Sequence, residues 1–239
     1  MPNHTVPDSL VDHLRRHGRD QAVLGHSVDV TIGWWNQEDR ALLPGGPVTG
    51  GNGTTGQQPI TRAHIFSLAE DAVVSEVGAL RLLWHSLAWG TGQRHRNNKR
   101  RITSVLAADD APRVLMLAAA TSRRDPAEAF AILRPGGRNR FSWLGPNFFT
   151  KYLYFAGGGS PDHPCMIVDQ FVRETLGQAT GDVRFGYISQ YSVTHYVETL
   201  EQLNLYARAA GDLLAREVAG DEVERWAFGA RLGTPGKRS

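Results

Sequence analysis

The sequence predicts a mostly α-helical protein: a multi-helix domain preceded by an irregular N-terminal extension. Three observations carry this. From Ile65 onward, apolar residues recur at three- and four-residue spacing, the signature of helix faces packed on a core. Start and stop signals bracket these runs, as where Asp125-Pro126 opens one that Gly136-Gly137 ends. β-Branched residues cluster only around Val28–Ile32, and the chain shows neither a repeat of about 20–50 residues nor alternating strand and helix units.

Taken in order, residues 8–20 (DSLVDHLRRHGRD) place Leu10, Val11 and Leu14 on one side of a short helix with Asp8 as N-cap. HSVDVTIGWWNQ reads as extended, leading to Trp34 and Trp35. Six glycines and three prolines between Leu43 and Pro59 cannot sustain a helix or a strand ladder. Residues 43–60 are therefore expected to be a loop or linker that sets residues 1–42 apart, as an appendage, from a helical domain over 61–239. In that domain Ile65, Leu68, Val73, Val77, Leu80, Leu83 and Leu87 predict two helices broken near Glu70 or Asp71 and ended by Gly90 and Gly92. APRVLMLAAATS and DPAEAFAILRPGG supply two more, residues 146–156 and 169–177 continue the series, and the tail adds YVETLEQLNLYARAAGDLLAREVAG and DEVERWAFGARL.

The chain has 239 residues, 41% hydrophobic and 9% aromatic, with 26 Lys+Arg against 24 Asp+Glu. That composition builds a packed core and excludes charge-driven disorder, and no apolar run approaches the roughly 20 residues that cross a bilayer. The single cysteine, Cys165, excludes an internal disulfide and a four-cysteine zinc or iron–sulfur site. The first thirty residues are polar and carry acids, without the order of a signal peptide, so a reducing, cytoplasmic setting is expected. The net charge of +2 conceals a basic middle: Arg94 to Arg140 holds eleven Lys/Arg and four acids, and the rest of the chain is acidic. Gln93 to Ile102 alone packs Arg94, Arg96, Lys99, Arg100 and Arg101 around His95, a cluster suited either to a solvated face or to phosphates.

The stretch RNRFSWLGPNFFTKYLYFAGGGSPDHPCMIVDQFVRETL, Arg138 to Leu176, concentrates the chemistry. It joins a Gly145-Pro146 turn, a helix starting at Pro146, a glycine loop and an apolar run ending in Asp169, which caps a further helix. The turn is expected to leave the amides of Asn147 and Phe148 free at a helix N-terminus, a place for a phosphate. Phe148, Phe149, Tyr152, Leu153 and Phe155 read as core, and the histidines have no metal-ligand spacing. Lys151 as a surface lysine and Asp169 as a simple cap are the plain alternatives.

LGPNFFTKYLYF followed by MIVDQFVRETL resembles the hairpin and catalytic-aspartate segment of the helix–hairpin–helix DNA glycosylase superfamily, in particular bacterial proteins with an 8-oxoguanine DNA glycosylase (OGG) fold. The resemblance implies a hairpin at about 138–156 in a glycosylase-like domain. It also implies a DNA N-glycosylase that acts on a damaged base in double-stranded DNA, with an oxidised base favoured, and with lysine-dependent abasic-site lyase activity in bifunctional members. Lys151 would be the nucleophile and Asp169, eighteen positions on, the carboxylate that stabilises the sugar cation. Gly145, Asn147 and Phe148 would hold DNA at the hairpin, with the basic cluster, Arg138 and Arg140 on its backbone. The family hairpin reads Leu-Pro-Gly-Val-Gly, whereas one glycine stands here. Aligned on the second family glycine, the nucleophile slot falls on Asn147 instead of Lys151, which implies a monofunctional enzyme or none, and both alignments stay open. A non-catalytic hairpin protein that only binds DNA is the alternative function. No cofactor is expected apart from the monovalent cation that the resemblance implies at the hairpin carbonyls, and no oligomeric state follows.

Overall fold

The computed structural model describes residues 5–37, 43–51, 53–186 and 188–232; residues 38–42 of the expected appendage, Asn52 and the tail from 233 lie outside it. In chain order its elements are α1 (Asp8–Arg16), β1 (Ser27–Thr31), α2 (Ile32–Trp35), β2 (Gln57–Thr61), α3 (Arg62–Phe66), α4 (Ala69–Val74), α5 (Glu76–Thr91), α6 (Asn98–Leu106), α7 (Ala111–Ser122), α8 (Pro126–Leu133), α9 (Pro146–Phe155), α10 (Gln170–Thr180), α11 (Val193–Leu214) and α12 (Gly220–Leu232). The fold is mostly helical, as the periodicity predicts. α5 is apolar almost all round, from Ala79 through Trp89, so it can only be a central helix. α4, α7, α9 and β1 pack around it. Ser75 starts it by accepting from the Gly78 N–H at 3.1 Å, and Gly92 ends it in the left-handed region at φ 56°.

Local signals place most helices and miss some boundaries. Asp125 caps α8 with Pro126 in its first turn, as expected. α1 begins after Pro7, so Asp8 sits in the first turn and not at the cap, and the helix stops at Arg16 before a π-turn over Asp20–Leu24. The region expected as two helices holds three, α3, α4 and α5, because Ser75 is extended and opens a new helix. α6, which was not expected, forms inside the basic cluster. Its inner face is Asn98, Arg101, Ile102 and Val105, a stripe too polar to register as apolar periodicity.

Residues 5–37 share one core with the helical domain. β1 pairs antiparallel with β2, Ser27 opposite Thr61 and Thr31 opposite Gln57, so residues 57–60 of the expected linker are strand. Both strands alternate so that Val30 and Ile60 face inward. Leu10 and Leu14 of α1 are buried in the same cluster as α5, and α1 packs on α11 and α12. Trp84 of α5 donates to the Pro44 carbonyl at 2.8 Å, and the Thr49 N–H donates to His85 Nε2 at 3.0 Å, so the glycine-rich loop is fastened to the central helix. A buried polar network completes the closure. Arg62 donates to both carboxylate oxygens of Glu224, at 2.7 and 3.1 Å, and to Tyr154 Oη, which in turn donates to Asp221. Arg19 meets Asp221 at 2.7 Å from the N-terminal side.

Candidate active site

The hairpin is built by Phe141–Pro146 running into α9. Trp143 turns the chain through φ 67°, and Gly145 is extended at φ −87°, so the glycine answers to space and not to backbone conformation. A Cβ at Gly145 would stand 2.9 Å from Gln190 Nε2. Gln190 is itself held by Arg134, which donates to its Oε1 at 2.6 Å and also to Asn139 Oδ1. The expected phosphate cradle is partly spent: the Phe148 N–H donates to the Gly145 carbonyl at 2.9 Å, and Phe149 N–H joins it at 3.1 Å. The Phe148 amide therefore closes the turn, where the sequence suggests that it faces a ligand.

Lys151 and Asp169 meet. Lys151 Nζ donates to Asp169 Oδ2 at 3.2 Å and to the Asn147 carbonyl, one turn back on α9, at 2.8 Å. Both side chains are buried, with Lys151 6% and Asp169 7% exposed. Asp169 Oδ1 accepts from the N–H groups of Phe171 and Val172 at 3.0 and 3.3 Å, so the residue is the N-cap of α10 while its other oxygen faces the lysine. The cap and the site carboxylate are thus one group. Its approach is pinned by Thr150, whose hydroxyl accepts from the Val168 N–H at 3.3 Å, and by Tyr191, which donates to the Val168 carbonyl at 2.7 Å. The lysine stem lies against Gly90 of α5, where a Cβ would stand 3.0 Å from Lys151 Cδ. Asn147 lends its carbonyl to the lysine, and its Oδ1 is buried without a hydrogen-bond partner among the described residues, leaving an acceptor beside the pair.

The basic cluster divides. Arg94, Arg96, Lys99, Arg100, Arg138 and Arg140 are exposed, Arg140 being ion-paired with Asp110. Arg101 is a correction. It is 5% exposed, and its guanidinium donates to the Trp143 carbonyl at 3.0 Å, the Arg96 carbonyl at 3.0 Å and Asn98 Oδ1 at 2.7 Å, while lying 3.7 Å from the Phe148 ring centre. Burial pushes it down to about 10, so it is charged at neutral pH. It braces the hairpin from within, through Nε and Nη1. Two hairpin carbonyls are already engaged, that of Trp143 by this guanidinium and that of Gly145 by two amides. Phe148, expected in the core, is half-buried between Arg101 and Lys151, whose Nζ lies 5.9 Å from its ring centre. Nothing in local spacing ties Gly90 and Tyr191 to the hairpin, and Thr150 and Trp143, which lie within it, are singled out only by their tertiary contacts. Among the described residues no group of three or more potential ligands could hold a metal, and no helix is long and apolar enough to cross a membrane.

A multi-helix body with a lysine on the hairpin helix facing the aspartate that caps a later helix defines a protein of the helix–hairpin–helix glycosylase type. The chain belongs to the family described as "Putative 8-oxoguanine DNA glycosylase OGG-like protein", whose model matches residues 21–228. No curated protein and no solved structure matches it.

Proposed function

We propose that the protein is a DNA N-glycosylase with lysine-dependent abasic-site lyase activity, acting on a damaged base in double-stranded DNA; the family's description favours oxidised guanine. One observation carries the reading: a buried lysine and a buried carboxylate 3.2 Å apart at the hairpin. Attack begins when a proton passes from Nζ to Asp169 or to water, which frees the amine's electron pair. Nζ then bonds to C1′ of an extruded nucleotide, and the bond from C1′ to the base breaks. The departing base takes that electron pair and the first proton that left Nζ, so Asp169 stands as a carboxylate. Opening of the sugar breaks C1′–O4′, the oxygen takes up a second proton lost by the nitrogen, and a Schiff base links Lys151 to C1′. Loss of a C2′ proton from this imine expels the 3′ phosphate. Asp169, fixed by its two cap hydrogen bonds, opposes the positive charge that builds on the sugar. Burial excludes water and keeps that interaction strong. The exposed Arg94, Arg96, Lys99, Arg100 and Arg138 suit a phosphate backbone.

Borohydride trapping tests this on duplexes carrying 8-oxoguanine, uracil or an abasic site, with wild type, Lys151→Ala and Asp169→Asn. The wild type should be trapped as a covalent adduct, and Lys151→Ala should not. An adduct that survives Lys151→Ala removes the lysine from its role. Base release without an adduct, lost in Asp169→Asn, would indicate a monofunctional enzyme, and binding without either activity a hairpin protein that only holds DNA.

A further inference from the structure

The tip of the hairpin carries a residue that base excision leaves unused. Trp143 is 50% exposed and adopts φ 67°, a backbone region that bulky side chains rarely occupy and that structures hold mostly at functional positions. It is held there deliberately: Arg101 binds its carbonyl at 3.0 Å, and the Arg100 guanidinium lies 4.4 Å from its ring centre. The indole forms one wall of an open groove of about 550 Å³ between α6 and the hairpin, with Lys99 and Arg100 on the α6 side. Successive contacts of 3.0 Å from Arg101 to Trp143, 3.7 Å from Arg101 to Phe148 and 5.9 Å from Phe148 to Lys151 tie this groove to the candidate site, within the span of a few nucleotides. A rigid aromatic ring flanked by cations is the surface on which an unpaired base stacks while its phosphate is neutralised.

We propose that Trp143 stacks on a nucleobase of bound DNA that has lost its partner, beside the extruded nucleotide, while Arg100 and Lys99 hold the adjoining phosphate. This rests on DNA being the substrate of the site. The test uses the full chain and a duplex that places 2-aminopurine opposite a tetrahydrofuran abasic analogue, with a fully paired duplex as control. Affinity is read by anisotropy and stacking by 2-aminopurine quenching, for wild type, Trp143→Gly and Trp143→Phe. Trp143→Gly should bind the abasic duplex about 5- to 100-fold more weakly and lose the quenching, with the paired duplex altered less than about threefold. Trp143→Phe should keep most of both. Glycine takes φ 67° freely, so the melting temperature of Trp143→Gly should equal or exceed that of wild type, and weaker binding then owes nothing to unfolding. Wild-type affinity and quenching in Trp143→Gly would overturn the stacking role alone. A wild type that binds no duplex at low salt would overturn the DNA reading, and this proposal with it.

Discussion

Replacing Asp169 by asparagine should cost the fold more than replacing Lys151 by methionine, although each removes half of the same 3.2 Å pair. Asparagine keeps an oxygen for the Phe171 and Val172 amides, so the α10 cap survives. Its NH2 group, however, replaces the oxygen that faces Lys151, and two donors then oppose one another. The ammonium, 6% exposed, is left with the Asn147 carbonyl at 2.8 Å. Breaking a buried pair from one side costs roughly 3–5 kcal/mol, and the surviving carbonyl puts Asp169→Asn near about 3 kcal/mol. Methionine, by contrast, keeps an apolar stem against Gly90, and Asp169 retains both backbone amides, so Lys151→Met should cost about 1 kcal/mol. The double variant leaves no buried charge, so its loss should be about 2 kcal/mol smaller than the sum of the single losses. Urea denaturation measures all three differences. At about 2–4 °C per kcal/mol for a chain of this size, the melting temperature of Asp169→Asn should fall by roughly 6–12 °C and that of Lys151→Met by less than about 4 °C. Equal losses in the two single variants, or strict additivity in the double, would refute the reasoning.

Gly90→Ala places a methyl group 3.0 Å from Lys151 Cδ, so it should slow borohydride trapping at least about tenfold while the protein stays folded by circular dichroism; an unchanged rate would mean that the stem yields freely. Arg62→Met strands Glu224, which is fully buried, and should lower the unfolding free energy by about 4 kcal/mol in urea; a loss below about 1 kcal/mol would show the network to be dispensable. His85 accepts from the Thr49 N–H at Nε2, so Nδ1 carries the proton and donates to the Arg81 carbonyl, and burial pushes the ring down to about 4. Below pH about 6.5 the unfolded chain takes up a proton that the folded one refuses, so stability should fall between there and pH about 4, by up to about 3 kcal/mol from this residue. His85→Gln should flatten that part of the melting-temperature profile, and an unchanged slope would assign it to other groups. Lys99→Gln and Arg100→Gln should each lower the slope of log affinity for DNA against log salt by about 1, whereas Arg101→Gln should chiefly lower stability; the opposite pattern would place Arg101 on the DNA.

Chemistry written into neighbouring residues was legible from the start. Asp125-Pro126 opens α8 and Asp169 caps α10 because a side-chain oxygen reaches an amide two or three residues ahead, whatever the rest of the chain does. The α9 run from Pro146 to Phe155 follows from the same local rules. The strand at Gln57–Thr61 was hidden because its glycine-rich surroundings suit a loop equally well, and only pairing with Ser27–Thr31 makes it a strand. α6 was hidden because its buried face is half polar.

The sequence by itself determined that the protein is helical, that a basic middle precedes a hairpin, and that Lys151 and Asp169 stand eighteen residues apart on either side of a glycine loop. Which member of the pair Asn147 and Lys151 meets the aspartate was settled by the packing of α9 against α5 at Gly90 and by the pinning of Val168. Tertiary structure also took Arg101 out of the exposed charge and put it under the hairpin, and it joined residues 5–37 to the core through Arg19, Leu10 and β1. The physical reason is common to all of these. Capping and periodicity act over a turn or two of backbone, whereas desolvation and ion pairing depend on which distant surfaces meet, and no local pattern records that.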